Sequence, residues 1–212
     1  MNSGDVGAVY IVDDDPSVRK SLLRLVRAHG YAGRAFSSAD EFLESDASGG
    51  PSCIVLDVRM PGMDGMKLQE VLNTMENRNV PVIFISGHAD VPLSVKAMKA
   101  GAVDFLPKPF SDKELMGAIQ AAIEKDKGNL AKETRAGEVK ALIRTMTPRE
   151  YEVFALVVTG MLNKQVASRL NITEKTVKVH RGRVMAKMKA ETFADLVRLA
   201  QEAGVKAPVQ GL

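Results

Sequence analysis

The stretch IVLDVRMPGMDG, from Ile54 to Gly65, contains the feature that decides how the first half of this chain folds. Its first three residues are large and apolar, which is typical of a strand that is buried on both faces. The strand nevertheless ends on a carboxylate, Asp57, and a Met-Pro-Gly turn follows directly. The sequence therefore places an acidic side chain at the carboxyl end of a buried strand.

Residues 8–125 contain four more apolar segments of strand length, and amphipathic helical segments separate them. This alternation predicts an α/β fold with a five-stranded, doubly wound parallel sheet of the flavodoxin type. The predicted strands are Ala8–Val12, Tyr31–Phe36, Cys53–Leu56, Val82–Ser86 and Val103–Leu106.

Polar side chains stand at the ends of four of these five strands. They are Asp13, Asp14 and Asp15 after the first strand, Asp57 after the third, Ser86 at the end of the fourth, and Lys108 between two prolines after the fifth. The carboxyl ends of parallel strands lie along one edge of an open sheet, where ligands bind. We therefore expect these side chains to converge.

Several carboxylates at one edge repel one another, and a divalent cation among them relieves that repulsion. Mg²⁺ prefers oxygen ligands and commonly joins carboxylates to a phosphoryl group. The Lys108 ammonium then acts as counter-charge to Asp57 or as partner of a phosphoryl oxygen, and the Ser86 hydroxyl can donate to the same group. The pattern predicts a site at which an aspartate is phosphorylated.

Each of these residues also has an ordinary structural role when taken alone. Asp15 is expected to cap a helix that starts at Pro16, because Asp-Pro is a favourable helix start. A rival chemistry, that of haloacid-dehalogenase-type phosphatases, needs a second aspartate two residues after the first as a general acid. That position holds Arg59, whose guanidinium stays protonated, so the sequence disfavours a phosphatase.

Residues 8–125 resemble a bacterial response-regulator receiver domain, with the acidic triplet, Asp57, Ser86 and the LPKP segment present in order. The resemblance implies that Asp57 is the phosphoacceptor, that Lys108 binds the phosphoryl group and that the Lys108–Pro109 peptide is cis. It further implies that Ser86 and Phe105 form a conformational switch pair. The implied ligands of Mg²⁺ (or Mn²⁺) are Asp14, Asp57 and the backbone carbonyl of Arg59, with Asp13 acting through water.

Charge is divided unevenly along the chain. Residues 1–126 carry 13 basic and 18 acidic side chains, whereas residues 127–212 carry 16 basic and 8 acidic ones. This asymmetry suggests two domains, the second with a polyanionic partner. We predict a receiver domain over 1–125, a helical linker over 126–146 that Gly128 or Gly137 could interrupt, and a DNA-binding domain over 147–212.

Residues 147–203 contain four short helical patterns and no predicted strand, which is typical of a helix-turn-helix domain. Thr147 and Glu150 form a capping-box pattern around Pro148. Gly160 is predicted to end the first helix, Asn163 to cap the second and Thr173 to cap the third.

The third of these helices has a stripe at helical spacing that we predict to be buried: Val177, His180, Val184 and Met188. Its opposite face is basic and small, so it could enter the major groove of DNA. The segments TPRE, GMLNKQVASRLNITEKTVKVHR and MAKM resemble the LuxR/NarL-type helix-turn-helix. With the receiver in front, the chain resembles the FixJ/NarL class of regulators, and VPLSVKAMKAGAVDFLPKPF and VMAKMKA are nearest to FixJ-like members.

The resemblance also implies roles for further residues. Base edges are expected to be read by Lys178 and Val179, with Gly182 altering sequence preference, and phosphates to be bound by Lys164, Thr176, Arg181, Arg183 and Lys187. The expected dimer surface includes Val91, Lys96 and Lys99 on the helix Val91–Ala100. The implied partners are a sensor histidine kinase, double-stranded promoter DNA, RNA polymerase and, after phosphorylation, a second copy.

The remaining expectations concern class and location. The chain is expected to catalyse only its own phosphorylation and dephosphorylation, and to activate rather than repress transcription. Its single cysteine, Cys53, is expected to be a small core residue, and no membrane span or secretory signal is visible, which fits the cytoplasm. A rival interpretation is a regulator whose receiver works without phosphorylation, and the intact acidic set disfavours it.

Overall fold

The computed structural model describes residues 7–46, 49–75, 80–87 and 91–205. The chain divides into two compact units, Met1–Leu130 and Ala131–Leu212. In chain order the elements are β1 (Ala8–Val12), α1 (Pro16–Ala28), β2 (Ala32–Phe36), α2 (Ala39–Leu43), β3 (Ser52–Asp57), α3 (Gly65–Thr74), β4 (Val82–Ser86), α4 (Val91–Lys99), β5 (Asp104–Pro107), α5 (Asp112–Arg144), α6 (Pro148–Val157), α7 (Asn163–Leu170), α8 (Glu174–Lys187) and α9 (Phe193–Glu202).

The first unit is built on the predicted five-stranded parallel sheet, with the strand order β2-β1-β3-β4-β5. The predicted bounds of β1 and β4 are confirmed in full. Strand β3 is longer than predicted because Asp57 itself pairs with Ile85 of β4. Strand β5 runs from Asp104 rather than Val103, so the prediction was shifted by one residue there.

Helices cover both faces of the sheet, and the strands alternate between two apolar cores. On β1, Val9 and Ile11 belong to the core formed with α1 and α5, whereas Tyr10 and Val12 belong to the core formed with α2, α3 and α4. Burial on both faces explains the continuous apolar runs in the sequence. It also leaves the strand ends as the places where polar side chains collect.

Helix α1 begins and ends as the sequence predicts. The Asp15 carboxylate accepts hydrogen bonds from the backbone N–H groups of Ser17 and Val18, and these bonds lower the pKa of Asp15. At the other end, Gly30 adopts a φ of 87°, which a glycine tolerates after a helix C-cap. Asp15 therefore has a structural role as the cap of α1.

Gly65, the first residue of α3, allows this helix to approach the end of β3. Its N–H donates to the Val58 carbonyl at 3.0 Å, and a Cβ at this position would lie 2.3 Å from the carbonyl oxygen of Asp57. No side chain fits in that space, so the glycine is needed for the backbone of Asp57 to keep its position.

Helix α5 continues from the receiver into the predicted helical linker, where the sequence left an interruption at Gly128 or Gly137 open. It is 33 residues long and continues through Gly128 and Gly137, so the predicted linker is an uninterrupted extension of the last receiver helix. Its residue Asp126 is buried and accepts a hydrogen bond of 2.7 Å from the Ser52 N–H at the start of β3. Neither α5 nor any other described helix has the length and apolar character needed to cross a membrane.

Cys53 lies fully buried near the start of β3. Burial raises the pKa of its thiol to about 12, and the negative charge of Asp126 adds to this effect. The thiol is therefore protonated at neutral pH, and Cys53 is a core residue, as predicted.

The second unit contains the four predicted helices around one apolar core. The capping box of Thr147 and Glu150, the end of α6 before Gly160 and the Thr173 cap of α8 are confirmed. The predicted Asn163 cap is wrong, because Asn163 is already helical and Leu162 occupies the cap position. The Leu162 N–H donates to Gln165 Oε1 at 2.8 Å, which satisfies this helix start in another way.

Replacing Gly65 with alanine should destabilise the first unit, because the new carbon would overlap the Asp57 carbonyl oxygen. We expect a loss of ~1–3 kcal/mol in the free energy of unfolding, measured by urea denaturation. Gly117→Ala is the matched control: a Cβ on Gly117 in α5 meets no atom within 4 Å, and alanine there should stabilise the helix by ~0.5–1 kcal/mol. Equal stability of the two variants would contradict this prediction.

Candidate functional site

The ends of β1, β3 and β5 meet at a single ammonium group. Lys108 Nζ lies 2.8 Å from Asp13 Oδ2 and 2.7 Å from Asp57 Oδ1, within hydrogen-bond distance of both. The two acids are 1% and 7% exposed, respectively. The structure therefore brings three of the predicted site residues together, from positions far apart in the sequence.

Backbone groups orient both carboxylates. The Arg59 N–H donates to Asp57 Oδ2, and the Asp15 N–H donates to Asp13 Oδ1, each at 2.8 Å. The Arg19 guanidinium donates to the carbonyl oxygen of Asp13 at 2.7 Å. Each carboxylate is thus held by one N–H on one oxygen and by Lys108 on the other.

The electrostatics of the site leave Asp57 short of positive charge. Burial raises the pKa of Asp57, the hydrogen bond and charge of Lys108 only partly offset this effect, and the charge of Asp13 adds to it. Burial also acts against the Lys108 ammonium, but hydrogen bonds and charges from the two acids outweigh it and raise the pKa of Lys108. One ammonium serves two carboxylates, so a further cation would stabilise the ionised pair.

The donor set fits a hard cation such as Mg²⁺, because the described residues of the site offer carboxylate oxygens. Asp14 is exposed beside the buried Asp13, so its oxygens are accessible from solvent. Across the described ranges, no three His, Cys, Asp or Glu side chains are grouped as a complete metal cage.

The predicted switch residues lie on the two neighbouring strands. Ser86, at the end of β4, is buried, and its carbonyl oxygen accepts a hydrogen bond of 2.7 Å from the Lys108 N–H. Phe105 on β5 is half-buried, with its ring centroid 6.3 Å from that of Phe84. The peptide between Lys108 and Pro109 is cis, as predicted.

Helix α4 presents an exposed apolar row that sequence reasoning found only in part. Val91 was predicted to be on a surface together with Lys96 and Lys99, and all three are exposed. Val95 and Met98 are exposed as well and were missed. Their spacing of four and seven residues from Val91 was the available signal.

The third helix of the second unit, α8, has the predicted division into two faces. Val177, Val184 and Met188 are buried, whereas His180 is only half-buried, so it belongs less fully to the buried stripe than predicted. The predicted DNA-reading residues Lys178, Val179 and Gly182 are exposed, as are Arg183 and, on α7, Lys164. Val179 is an apolar residue that is 48% exposed, and a Cβ on Gly182 would meet only open space.

Lys187 does not lie free on this surface. Its ammonium donates to Glu150 Oε2 at 2.6 Å and to the Thr145 carbonyl at 2.7 Å, and Glu150 is buried. Lys187 and the Thr147 N–H lower the pKa of Glu150 to about 2. The predicted phosphate contact of Lys187 thus competes with a structural ion pair, which its position on the helical wheel did not reveal.

The other predicted phosphate contacts have different surroundings. Thr176 Oγ1 lies 2.9 Å from Thr173 Oγ1 in the first turn of α8. Arg181 donates to Asn163 Oδ1 at 3.4 Å, and its guanidinium carbon lies 5.0 Å from the ring centroid of Phe193. Phe193 and Asn163 were not predicted as neighbours of Arg181, because the three residues lie on different helices.

Comparison with known proteins agrees with both halves of this description. Residues 9–120 match the response regulator receiver domain, and residues 144–200 match the bacterial regulatory proteins of the luxR family. A receiver followed by a LuxR-type DNA-binding domain defines a response regulator of a two-component system that regulates transcription. The chain belongs to this family, and within it to the FixJ/NarL class.

Individual relatives span nearly the whole chain. This chain is 47% identical over 199 residues to nodulation protein W of Bradyrhizobium diazoefficiens, and the alignment covers 94% of this chain and 87% of that protein. It is 43% identical over 196 residues to the transcriptional regulatory protein FixJ of Rhizobium meliloti, covering 92% and 96%. The solved structure of the response regulator StyR matches with a TM-score of 0.75 at 40% identity, covering 92% and 98%.

Glu150→Gln should lower the melting temperature at pH 7 by several degrees, because the neutral amide loses the charge that Lys187 pairs with. The folded state holds the pKa of Glu150 near 2, against an ordinary value of 4.5. The stabilisation is therefore complete above pH 4.5 and is lost as the pH falls towards 2. The difference in melting temperature between the wild type and the variant should decrease as the pH is lowered below 4.5.

The matched control is Glu152→Gln on the same helix, since the Glu152–Arg149 pair is exposed to solvent and should matter little. Thermal melts of both variants, followed by circular dichroism between pH 7 and pH 3, give the comparison. If the difference in melting temperature between the wild type and Glu150→Gln stays constant over this pH range, the assigned ion pair is contradicted.

Proposed function

We propose that this protein is a phosphorylation-controlled transcriptional activator. A sensor histidine kinase donates a phosphoryl group to Asp57, the phosphorylated receiver dimerises, and α8 binds promoter DNA. The observation that carries the proposal is the Lys108 ammonium shared by Asp13 and Asp57 at the carboxyl edge of the sheet. This arrangement holds one carboxylate in an environment that favours added positive charge or a bound phosphoryl group.

The transfer step follows from the position of Asp57. One carboxylate oxygen attacks the phosphorus of a phosphohistidine, the P–N bond breaks, its electron pair returns to the imidazole, and an acyl phosphate forms. Lys108 then stabilises a phosphoryl oxygen in place of the lost carboxylate charge. When bound by Asp14, Asp57 and the Arg59 carbonyl, with Asp13 through water, Mg²⁺ or Mn²⁺ would neutralise the developing phosphoryl charge.

The switch that follows rests on two neighbouring strands. Phosphorylation adds about −1.5 to −2 charges, by analogy with other phosphoresidues. We propose that the new anion draws the Ser86 hydroxyl towards it and that Phe105 turns inward into the space released. Phe105 is half-buried and touches the core that also contains Phe84 and Ala97 of α4. A change at Phe105 would therefore reach α4 through direct packing.

The surface that receives this change is suited to a second copy of the receiver. Val91, Val95 and Met98 form the exposed apolar row of α4, and Lys96 and Lys99 flank it. Burying such a row removes apolar area from water. A dimer places two DNA-binding units near adjacent half-sites, which raises the effective concentration of the second unit.

On DNA, we propose that α8 enters the major groove, with Lys178 and Val179 against base edges and Gly182 leaving room for close approach. Phosphates are proposed to be bound by Lys164, Thr176, Arg181 and Arg183. Lys187 is left out of this set because it pairs with the buried Glu150.

The proposed activity has no separate substrate: the chain transfers a phosphoryl group to itself and hydrolyses it. RNA polymerase is the proposed partner at the promoter, which places the activity in the cytoplasm. The similarity to FixJ of Rhizobium meliloti, a transcriptional regulatory protein that aligns with nearly the whole chain, supports this assignment.

Asp57→Asn should abolish phosphorylation by acetyl phosphate with Mg²⁺, because an amide cannot form the acyl phosphate. Phos-tag gels should show a retarded band for the wild type and none for the variant, and sizing should show a dimer only for the treated wild type. Asp40→Asn, on the exposed side of α2, is the control and should behave as the wild type. A retarded band that persists without Asp57 would assign the acceptor to another residue.

Val95→Lys separates phosphorylation from dimerisation, because it places a charge in the exposed apolar row of α4. This variant should retain the retarded band and remain monomeric after treatment with beryllofluoride. A wild type that stays strictly monomeric under these conditions would contradict the dimer switch.

Lys178→Ala should weaken binding to a duplex selected from a random pool by ~1–3 kcal/mol and relax specificity at one base pair. Binding to single-base variants of that duplex gives the measurement. Arg183→Ala is the matched comparison from the same helix and should weaken all duplexes alike, with a salt slope reduced by about 1. Uniform weakening by Lys178→Ala would reassign Lys178 to a phosphate contact.

A further inference from the structure

The side chain of Arg181 is held by the first residues of two other helices. Asn163, the first residue of α7, accepts a hydrogen bond of 3.4 Å from the guanidinium. Phe193, the first residue of α9, lies under the same guanidinium, with 5.0 Å between the ring centroid and the guanidinium carbon. Both partners are neutral.

Three other arginines of the second unit are paired with acids. Arg135 and Arg198 contact Glu202, and Arg149 contacts Glu152. Within the part of the chain that the structure describes, Arg181 has no ion pair with a carboxylate. Its guanidinium is therefore oriented by its neighbours while its charge stays uncompensated.

A guanidinium that lies over an aromatic ring is attracted by the negative face of the ring, and this attraction requires none of its five N–H donors to form a conventional hydrogen bond. Asn163 accepts from one terminal nitrogen only. The remaining donors are available for a planar, bidentate contact with a phosphate. Holding the long side chain in advance also reduces the rotamer entropy lost when it binds.

The exposure of Phe193 is consistent with a role outside the core. Phe193 is 38% exposed, and the buried core of the unit is completed by Leu196, Leu199 and Ala200 of the same helix. The ring of Phe193 is therefore placed to contact a cation of α8 at the protein surface.

We propose that Phe193 and Asn163 are positioning residues that aim the Arg181 guanidinium at a phosphate beside the groove entered by α8. This inference rests on the proposed DNA contacts of α8. It adds the first residue of α9 to the residues that influence DNA binding without contacting DNA. Phe193 acts through Arg181, so its contribution to binding exists only while Arg181 is present.

A double-mutant cycle tests this coupling. Wild type, Phe193→Leu, Arg181→Ala and the double variant are titrated with a mixed-sequence 30-base-pair duplex at several salt concentrations, since a phosphate contact does not depend on sequence. Arg181→Ala should reduce the salt slope by about 1. Phe193→Leu should weaken binding about two- to fivefold in the wild-type background and should have no effect in the Arg181→Ala background.

Further variants separate positioning from folding. Phe193→Tyr keeps the ring face and should bind as the wild type, whereas Asn163→Ala should weaken binding about twofold, again only when Arg181 is present. Tyr151→Leu removes another exposed aromatic of the unit, on α6, and should leave binding unchanged. Melting temperatures check that each variant is folded.

The outcomes distinguish this inference from the proposed function. Equal weakening by Phe193→Leu with and without Arg181 would overturn the inference and leave DNA binding by α8 intact. If Phe193→Leu binds the duplex as tightly as the wild type, the inference is also overturned and DNA binding by α8 is unaffected. A wild type that binds no duplex at low salt would overturn both proposals.

Discussion

The receiver unit depends on one ammonium group placed between two buried carboxylates. Asp13, Asp57 and Lys108 come from three strands, and they meet because parallel strands end at one edge of the sheet. A buried pair of acids is stable only with compensating charge. Lys108 supplies one charge for two acids, and this shortage favours the further cation and the phosphoryl acceptor role that we propose for this edge.

The second unit also contains a buried acid, but there one ammonium pairs with a single carboxylate. Glu150 is buried at the start of α6, and its ion pair with Lys187 of α8 contributes to lowering its pKa to about 2. One basic side chain of α8 is thereby used to hold the unit together, while Lys178 and Arg183 remain exposed. The basic residues of one helix can thus have different roles. Their contacts with other helices show which of them stabilise the fold and which remain exposed.

Local chemistry made much of this fold predictable. The strands follow from apolar runs and the Asp15, Thr147 and Thr173 caps from short-range hydrogen bonds, so sequence reasoning found them. The features that local patterns did not determine depend on contacts between residues far apart in the sequence, or on many small energetic contributions along a helix. Lys187 pairs across 37 positions, and Phe193 meets Arg181 from another helix. Glycine weakens a helix by ~1 kcal/mol, which the rest of α5 outweighs at Gly128 and Gly137.

Cys53 gives the chain a built-in reporter. It is the only cysteine, it lies within the central part of the sheet, and its thiol is both shielded and protonated. Alkylating reagents react with exposed thiolate, so they can modify Cys53 only when the packing of the core formed with α1 and α5 opens around it. The rate of labelling at Cys53 therefore measures how often this core opens, without any engineered probe.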